Sequence, residues 1–170
     1  VPHEIGAIET GHADGVDFGH GKLAIGQAMA PPIIGKVKGL VDKDSVVIID
    51  ASPGTSCPVV EAIKGSDFCL LVTEPTLSGI HDMERVLGVC KHFNIPAMVC
   101  INKYDLNEKN TIAIHDYCRE SGVDVAAMIP FDNAVTEAMV RGVSIVEHSN
   151  GRVAREIKGL WQNIDHKLQE

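Results

Sequence analysis

Residues 45–58 read SVVIIDASPGTSCP, and the order of residue types there decides the fold class. Val46, Val47, Ile48 and Ile49 are β-branched and leave no polar face, so they favour a strand covered on both sides, as in a parallel sheet. Asp50 ends the run, and Pro53-Gly54 turns the chain directly after it. Three more apolar runs follow: DFCLLVT at 67–73, PAMVCIN at 96–102 and VDVAAMIP at 123–130. Helical patterns separate them. Ile80, Met83, Leu87 and Cys90 share one helical face, with Ser78 as the expected cap. Helices are also expected over 107–121 and 132–141, stopped by Gly122 and Gly142. Val153, Ile157, Leu160, Ile164 and Leu168 make a final apolar stripe. Strands alternating with helices in this way imply right-handed crossovers. The expected fold is α/β, three-layered, with a doubly wound, mostly parallel sheet.

The first forty residues read differently. Residues 7–21 are rich in Gly, Asp and His and read as loop, 22–28 as a strand, and 32–41 as a helix with proline in its first turn. The expected organisation is one partial domain over 1–170, with an irregular linker at 1–21 and an α/β core at 22–170.

Composition bounds the function. The chain has 170 residues, 45% hydrophobic and 22% charged, the balance of a globular protein able to bury a core. A net charge of -8 argues against non-specific binding to nucleic acid or anionic membranes. It leaves room for a nucleotide, whose phosphates are held largely by backbone N–H groups. No run is long and apolar enough to span a membrane. None of the five cysteines, Cys57, Cys69, Cys90, Cys100 and Cys118, falls in a CxxC pair. They read as reduced core thiols of a cytoplasmic protein, Cys57 included. The eight histidines are scattered without ligand spacing.

Ligands of open parallel sheets sit beyond the carboxyl ends of the strands. Three strand ends therefore hold the candidate site. Asp50 is placed to hold Mg²⁺ through water, since that ion keeps much of its hydration shell. Ser52, Pro53, Gly54 and Thr55 follow as a phosphate-sensing loop, in which Gly54 brings no Cβ between its N–H and a γ-phosphate. A strand-end acid capping the next helix is the bland alternative. The second end is Asn102-Lys103-Tyr104-Asp105, the N-K-x-D pattern that reads a purine. An amide bonds a base edge in both directions, a lysine stem lies on the base plane, and an acid accepts from guanine N–H groups. A polar turn accounts for the same residues. At the third end, Pro130 and Phe131 would place backbone against the base, with Asp132 as helix cap; a turn and cap alone would look the same.

Two glycine patterns fail. Gly19-His20-Gly21-Lys22 lacks the first glycine and the final Ser/Thr of a phosphate loop, because Val16 and Leu23 stand there. Its dinucleotide-like spacing has no preceding strand, and Pro31-Pro32 would end the helix. No G-x-S-x-G elbow occurs.

Together, VVIIDASPGTSCP (46–58), VTEPTLSGIHDMERVL (72–87), INKYDLN (101–107) and IPFDNAVTEAMVRG (129–142) resemble the MinD/ParA/Mrp group of P-loop ATPases, the CobQ/CobB/MinD/ParA nucleotide-binding domain. The resemblance covers about residues 21–165. It is strongest to the branch with an inserted ferredoxin domain, and implies that this chain is the part following that insert. Such a chain lacks the phosphate loop and the iron–sulfur clusters and starts, as here, at Val1-Pro2-His3 without a methionine. Residues 4–32 would be the segment after the clusters. By resemblance, Asp50 organises magnesium and orients water, Gly54 senses the γ-phosphate and Asn102 contacts the base. The resemblance further implies ATP and Mg as ligands of the intact protein, a homodimer across the nucleotide, and a redox or metallocluster partner. The fragment alone is expected to be inactive. The family's usual Asn-Arg is here a fuller N-K-x-D, which keeps a GTP-binding switch open. A non-catalytic interaction module is the third reading.

Overall fold

The computed structural model describes residues 5–27, 29–41 and 45–169. These fall into two compact units that divide between Lys64 and Gly65.

The first unit begins with an antiparallel hairpin, β1 (Gly6–Ala13) and β2 (Val16–Leu23). Loop was expected over most of this stretch. Asp14-Gly15 supplies the turn, both residues having positive φ (52° and 80°), as a two-residue hairpin loop requires. The glycines that make the stretch look irregular have a packing role. A Cβ at Gly6 or Gly21 would run into Ile33 of helix α1 (Pro31–Lys38), so the hairpin accepts the helix only where those side chains are missing. The strand expected at 22–28 is therefore the end of β2, which stops at Leu23; Ala28 lies outside the described residues, as do residues 1–4. Helix α1 does begin with its prolines. A short helix, α2 (Cys57–Ile63), follows. Lys38 Nζ donates to the carbonyls of Glu61, Ala62 and Lys64 at 3.1, 2.9 and 2.6 Å, closing the end of α2. Desolvation lowers the pKa of Lys38.

The run at 46–49 corrects the sequence reading. Among the described residues it joins no ladder, and Val46 and Ile48 are 63% and 81% exposed. Its composition favours a strand, but a strand is made by pairing its N–H and C=O groups with a neighbour, and among the described residues this run has no ladder partner.

The second unit is the α/β fold expected. Strands β3 (Cys69–Thr73), β4 (Ala97–Asn102) and β5 (Asp124–Ile129) form a parallel sheet in the order β3-β4-β5. The connections are helices α3 (Leu77–His92) and α4 (Glu108–Ser121). After β5 come α5 (Asn133–Val140), α6 (Ile145–His148) and α7 (Arg152–Leu168). Val99, Cys100 and Ile101 are fully buried in β4, the central strand, as an unalternated apolar run demands. Ile114 and Cys118 of α4 are equally buried, with Met83, Leu87 and Cys90 of α3 close to it. The α7 stripe buries Val153 and Leu160.

Helix ends follow local chemistry. Gly122 adopts φ 67° after α4, and Gly142 φ 68° just past α5. Asp132 caps α5 through Ala134 N–H at 2.9 Å. The cap of α3 is Thr76 rather than Ser78. Thr76 has extended backbone and its Oγ1 accepts from Gly79 N–H at 2.9 Å, whereas Ser78 already lies inside the helix. All five cysteines are free thiols, and Cys90, Cys100 and Cys118 are buried. Cys57 is not a core thiol: it opens α2 and is exposed. A hydrogen bond with Cys90, and burial, raise the pKa of Cys69.

Candidate functional site

The parallel register brings the carboxyl ends of three strands to one rim. Thr73 pairs with Ile101, and Asn102 with Ile129, so each βα loop leaves the sheet beside the next. Glu74 and Pro75 lead from β3 to α3. Lys103 and a single 3₁₀ turn, Tyr104–Leu106, lead from β4 to α4. Pro130, Phe131 and Asp132 lead from β5 to α5.

Side chains knit these loops together. Asp105 Oδ1 accepts from the Phe131 backbone N–H at 2.8 Å, joining the second loop to the third. Lys103 Nζ lies 2.7 Å from Glu74 Oε1, joining the second to the first. Asn110 Nδ2 donates to the Pro75 carbonyl at 3.0 Å. Thr111 Oγ1 donates to the Tyr104 carbonyl at 2.6 Å, and Arg152 donates to the Tyr104 hydroxyl at 3.0 Å with its guanidinium over the ring. Lys103 has φ 52°, a left-handed conformation uncommon outside glycine and found where surrounding contacts over-determine the backbone.

Of the expected site residues, Asn102, Lys103, Asp105, Pro130 and Phe131 therefore share the rim. Asn102 is half-buried, and among the described residues none hydrogen-bonds its side-chain amide. Phe131 is 50% exposed. Asp50, Ser52, Pro53, Gly54 and Thr55 stand in the first unit. There Asp50, Ser52 and Pro53 are exposed, and Gly54 takes φ 92°, open only to glycine without strain. Asp50 is the one carboxylate of that loop. A single carboxylate fits Mg²⁺, which takes one or two from protein and completes its shell with phosphate and water.

Sequence reasoning missed Glu74 and Arg152. The strand-end rule that marked Asp50 applies equally to Glu74, which directly follows the apolar run at 67–73. Arg152 carries no such signal; it reaches Tyr104 from the start of α7.

No protein-family profile matches the chain. An uncharacterized protein of Methanocaldococcus jannaschii is 28% identical over 143 residues, covering 83% of this chain and 49% of that protein. The septum site-determining protein MinD of Thermotoga maritima is 24% identical over 134 residues, 75% of this chain and 49% of that one. Among solved structures, the cell division ATPase MinD of Pyrococcus furiosus matches with a TM-score of 0.68 and 26% identity, over 80% of this chain and 58% of that chain. The chain is thus similar to MinD proteins in sequence and in fold. MinD of Pyrococcus horikoshii, solved in complex with Mg-ADP, shares the fold at a TM-score of 0.61 and 23% identity, over 79% of this chain and 55% of that one. The chain spans about half the length of the curated relatives it matches. No described helix is long and apolar enough to cross a membrane.

Proposed function

We propose that the two units belong to one partial nucleotide-binding domain, the part of a MinD-like ATPase that follows an inserted ferredoxin segment. The intact protein binds and hydrolyses ATP with Mg²⁺, as a homodimer across the nucleotide. It couples the γ-phosphate state to iron–sulfur electron transfer or metallocluster assembly, with a redox or metallocluster protein as partner. The chain by itself lacks the phosphate-gripping loop and is inactive.

One observation carries the reading: the β3, β4 and β5 loops are cross-linked at a single rim that also carries the Asn102 amide, which no described residue hydrogen-bonds. Likeness to a MinD ATPase at 26% identity supports the same reading. At that rim Asn102 offers a purine edge a donor and an acceptor. The exposed Asp50 carboxylate would hold a hydrated cation through water and would accept a hydrogen bond from the attacking water, orienting it. Bound Mg²⁺ would supply charge neutralisation at the phosphates. Gly54 gives the loop the freedom to approach a γ-phosphate and to relax when it leaves.

Asp50→Asn in the intact protein tests this. The amide keeps the size and loses the charge, so ATP turnover is abolished while the circular dichroism spectrum stays unchanged. Unaltered turnover would remove Asp50 from the site, and negligible calorimetric heat with both ATP and GTP would end the nucleotide reading. Iron and acid-labile sulfide, assayed after anaerobic purification, check the coupling; a protein without them has no such electron route.

A further inference from the structure

We infer that Asp105 is a positioning residue, which holds Phe131 as a stacking face for the purine and does not itself read the base. The inference rests on the nucleotide reading above and specifies how its rim is built.

A carboxylate that reads guanine does so with both oxygens, one for each of two neighbouring N–H groups of the base edge. In Asp105 one oxygen is already engaged, accepting from Phe131 N–H at 2.8 Å. Bidentate reading would ask that oxygen to accept twice, from the base and from the Phe131 N–H that joins the two loops. The Lys103 ammonium is likewise engaged, 2.7 Å from Glu74. The second and fourth positions of the N-K-x-D tetrapeptide thus turn the ammonium and one carboxylate oxygen to neighbouring loops, whereas no hydrogen bond engages the Asn102 amide among the described residues.

Phe131 is fixed from three directions. Pro130 before it has a locked φ, Asp105 holds its N–H, and Asp132 after it caps α5. With the backbone held, the ring is confined to the staggered rotamers which that backbone allows. It lies two residues beyond Ile129, the register partner of Asn102, and half of its surface is open. An aromatic ring on the same rim as the Asn102 amide suits a flat heterocycle: the ring stacks and the amide reads the edge.

The test uses the intact protein, with fluorescent ADP, GDP and xanthosine diphosphate as probes and NMR exchange at the Phe131 amide. Asp105→Asn keeps an acceptor oxygen for Phe131 N–H, so ADP affinity stays within about twofold and the amide stays slow to exchange. Asp105→Ala loses about tenfold in affinity and exchanges about tenfold faster. Phe131→Ala loses tenfold or more, roughly the value of one stacked base. Were Asp105 the base reader, Asp105→Asn would turn from guanine toward xanthine, whose extra carbonyl takes the new amide's N–H; that result overturns the inference. Asp105→Asn losing as much as Asp105→Ala overturns it too, while leaving nucleotide binding established. A wild-type protein that binds no purine nucleotide refutes the reading above, and the positioning role with it.

Discussion

Gly79 lies in the first turn of α3, where the helix meets the end of β3. A Cβ at this position would stand 2.4 Å from the Glu74 carbonyl oxygen, 2.9 Å from Thr73 Oγ1 and 3.1 Å from Thr76 Oγ1. The nearest atom is backbone and cannot rotate aside. The other two are tied down, because Thr73 Oγ1 donates to the Gly79 carbonyl at 2.9 Å and Thr76 Oγ1 caps the helix. Gly79→Ala therefore gains up to about 1 kcal/mol in helix propensity and loses about 1–3 kcal/mol to overpacking, with further loss if the cap is displaced. The net expectation is destabilisation of about 1–2 kcal/mol. Gly88, in the same helix, is the control: a Cβ there meets nothing within 4 Å, so Gly88→Ala should stabilise by about 0.5–1 kcal/mol. The sole tryptophan, Trp161 in α7, reports on this unit by fluorescence in urea. With a slope of roughly 1–2 kcal/mol per molar, Gly79→Ala should lower the midpoint by about 1 M and Gly88→Ala should raise it by about half as much. A midpoint raised by both substitutions would show that the Glu74 carbonyl yields freely, and the close packing of α3 on the rim would be wrong.

Other consequences are open to measurement. Asn102→Ala should weaken nucleotide binding by the intact protein about tenfold, because a buried base edge loses its partner; unchanged calorimetric affinity would contradict that role. Burial raises the Cys100 thiol to about 11, from an ordinary 9.0. The unfolded chain then releases this proton first, so stability is full below pH 9 and falls as pH rises toward 11; Cys100→Ala should remove that part of the slope in urea titrations. Iodoacetamide at pH 8 should label exposed Cys57 well before buried Cys100 or Cys118, with peptide mass spectrometry giving the order. The Glu147 carboxyl is held below its ordinary range, chiefly by the Ser144 hydroxyl and then by its backbone N–H. The capping box thus contributes above the ordinary carboxylate pKa and is lost as pH falls through the lowered one. Ser144→Ala should shift the Glu147 NMR titration upward.

The parts of the fold that were legible depend on neighbours close in sequence. Gly122 after α4 and Asp132 before α5 act within one turn of where they stand. The β4 run could be recognised because a strand buried on both faces must be apolar throughout, and Val99, Cys100 and Ile101 are. The hairpin at the start was hidden because its glycines are there for a distant helix: Gly6 and Gly21 make room for Ile33. The run at 46–49 misled for the opposite reason. Its β-branched residues state a preference, but a ladder is made by two strands, and nothing local says whether the second is present. Cys57 misled similarly: apolar neighbours suggested a core, yet the first position of a short helix leaves it exposed.

The candidate site divides along the same line. The strand-end rule located Asn102 and Pro130 because parallel register converts sequence position into a place on the rim. The roles of the residues beside them are set elsewhere. Asp105 follows Asn102 by a spacing that suits a guanine reader, and spacing alone gives it that task. Its observed partner is a backbone N–H 26 residues further along the chain, which no tetrapeptide can encode. Lys103 is diverted in the same way by Glu74, from the loop of a different strand. The motif therefore fixes which groups arrive at the rim, and the contacts between loops decide which of them remain free to meet a ligand. Among the described residues the Asn102 amide has no such contact, while Asp105 holds the Phe131 N–H, so a substitution at Asp105 should be felt first in the Phe131 loop and through that loop at a bound base.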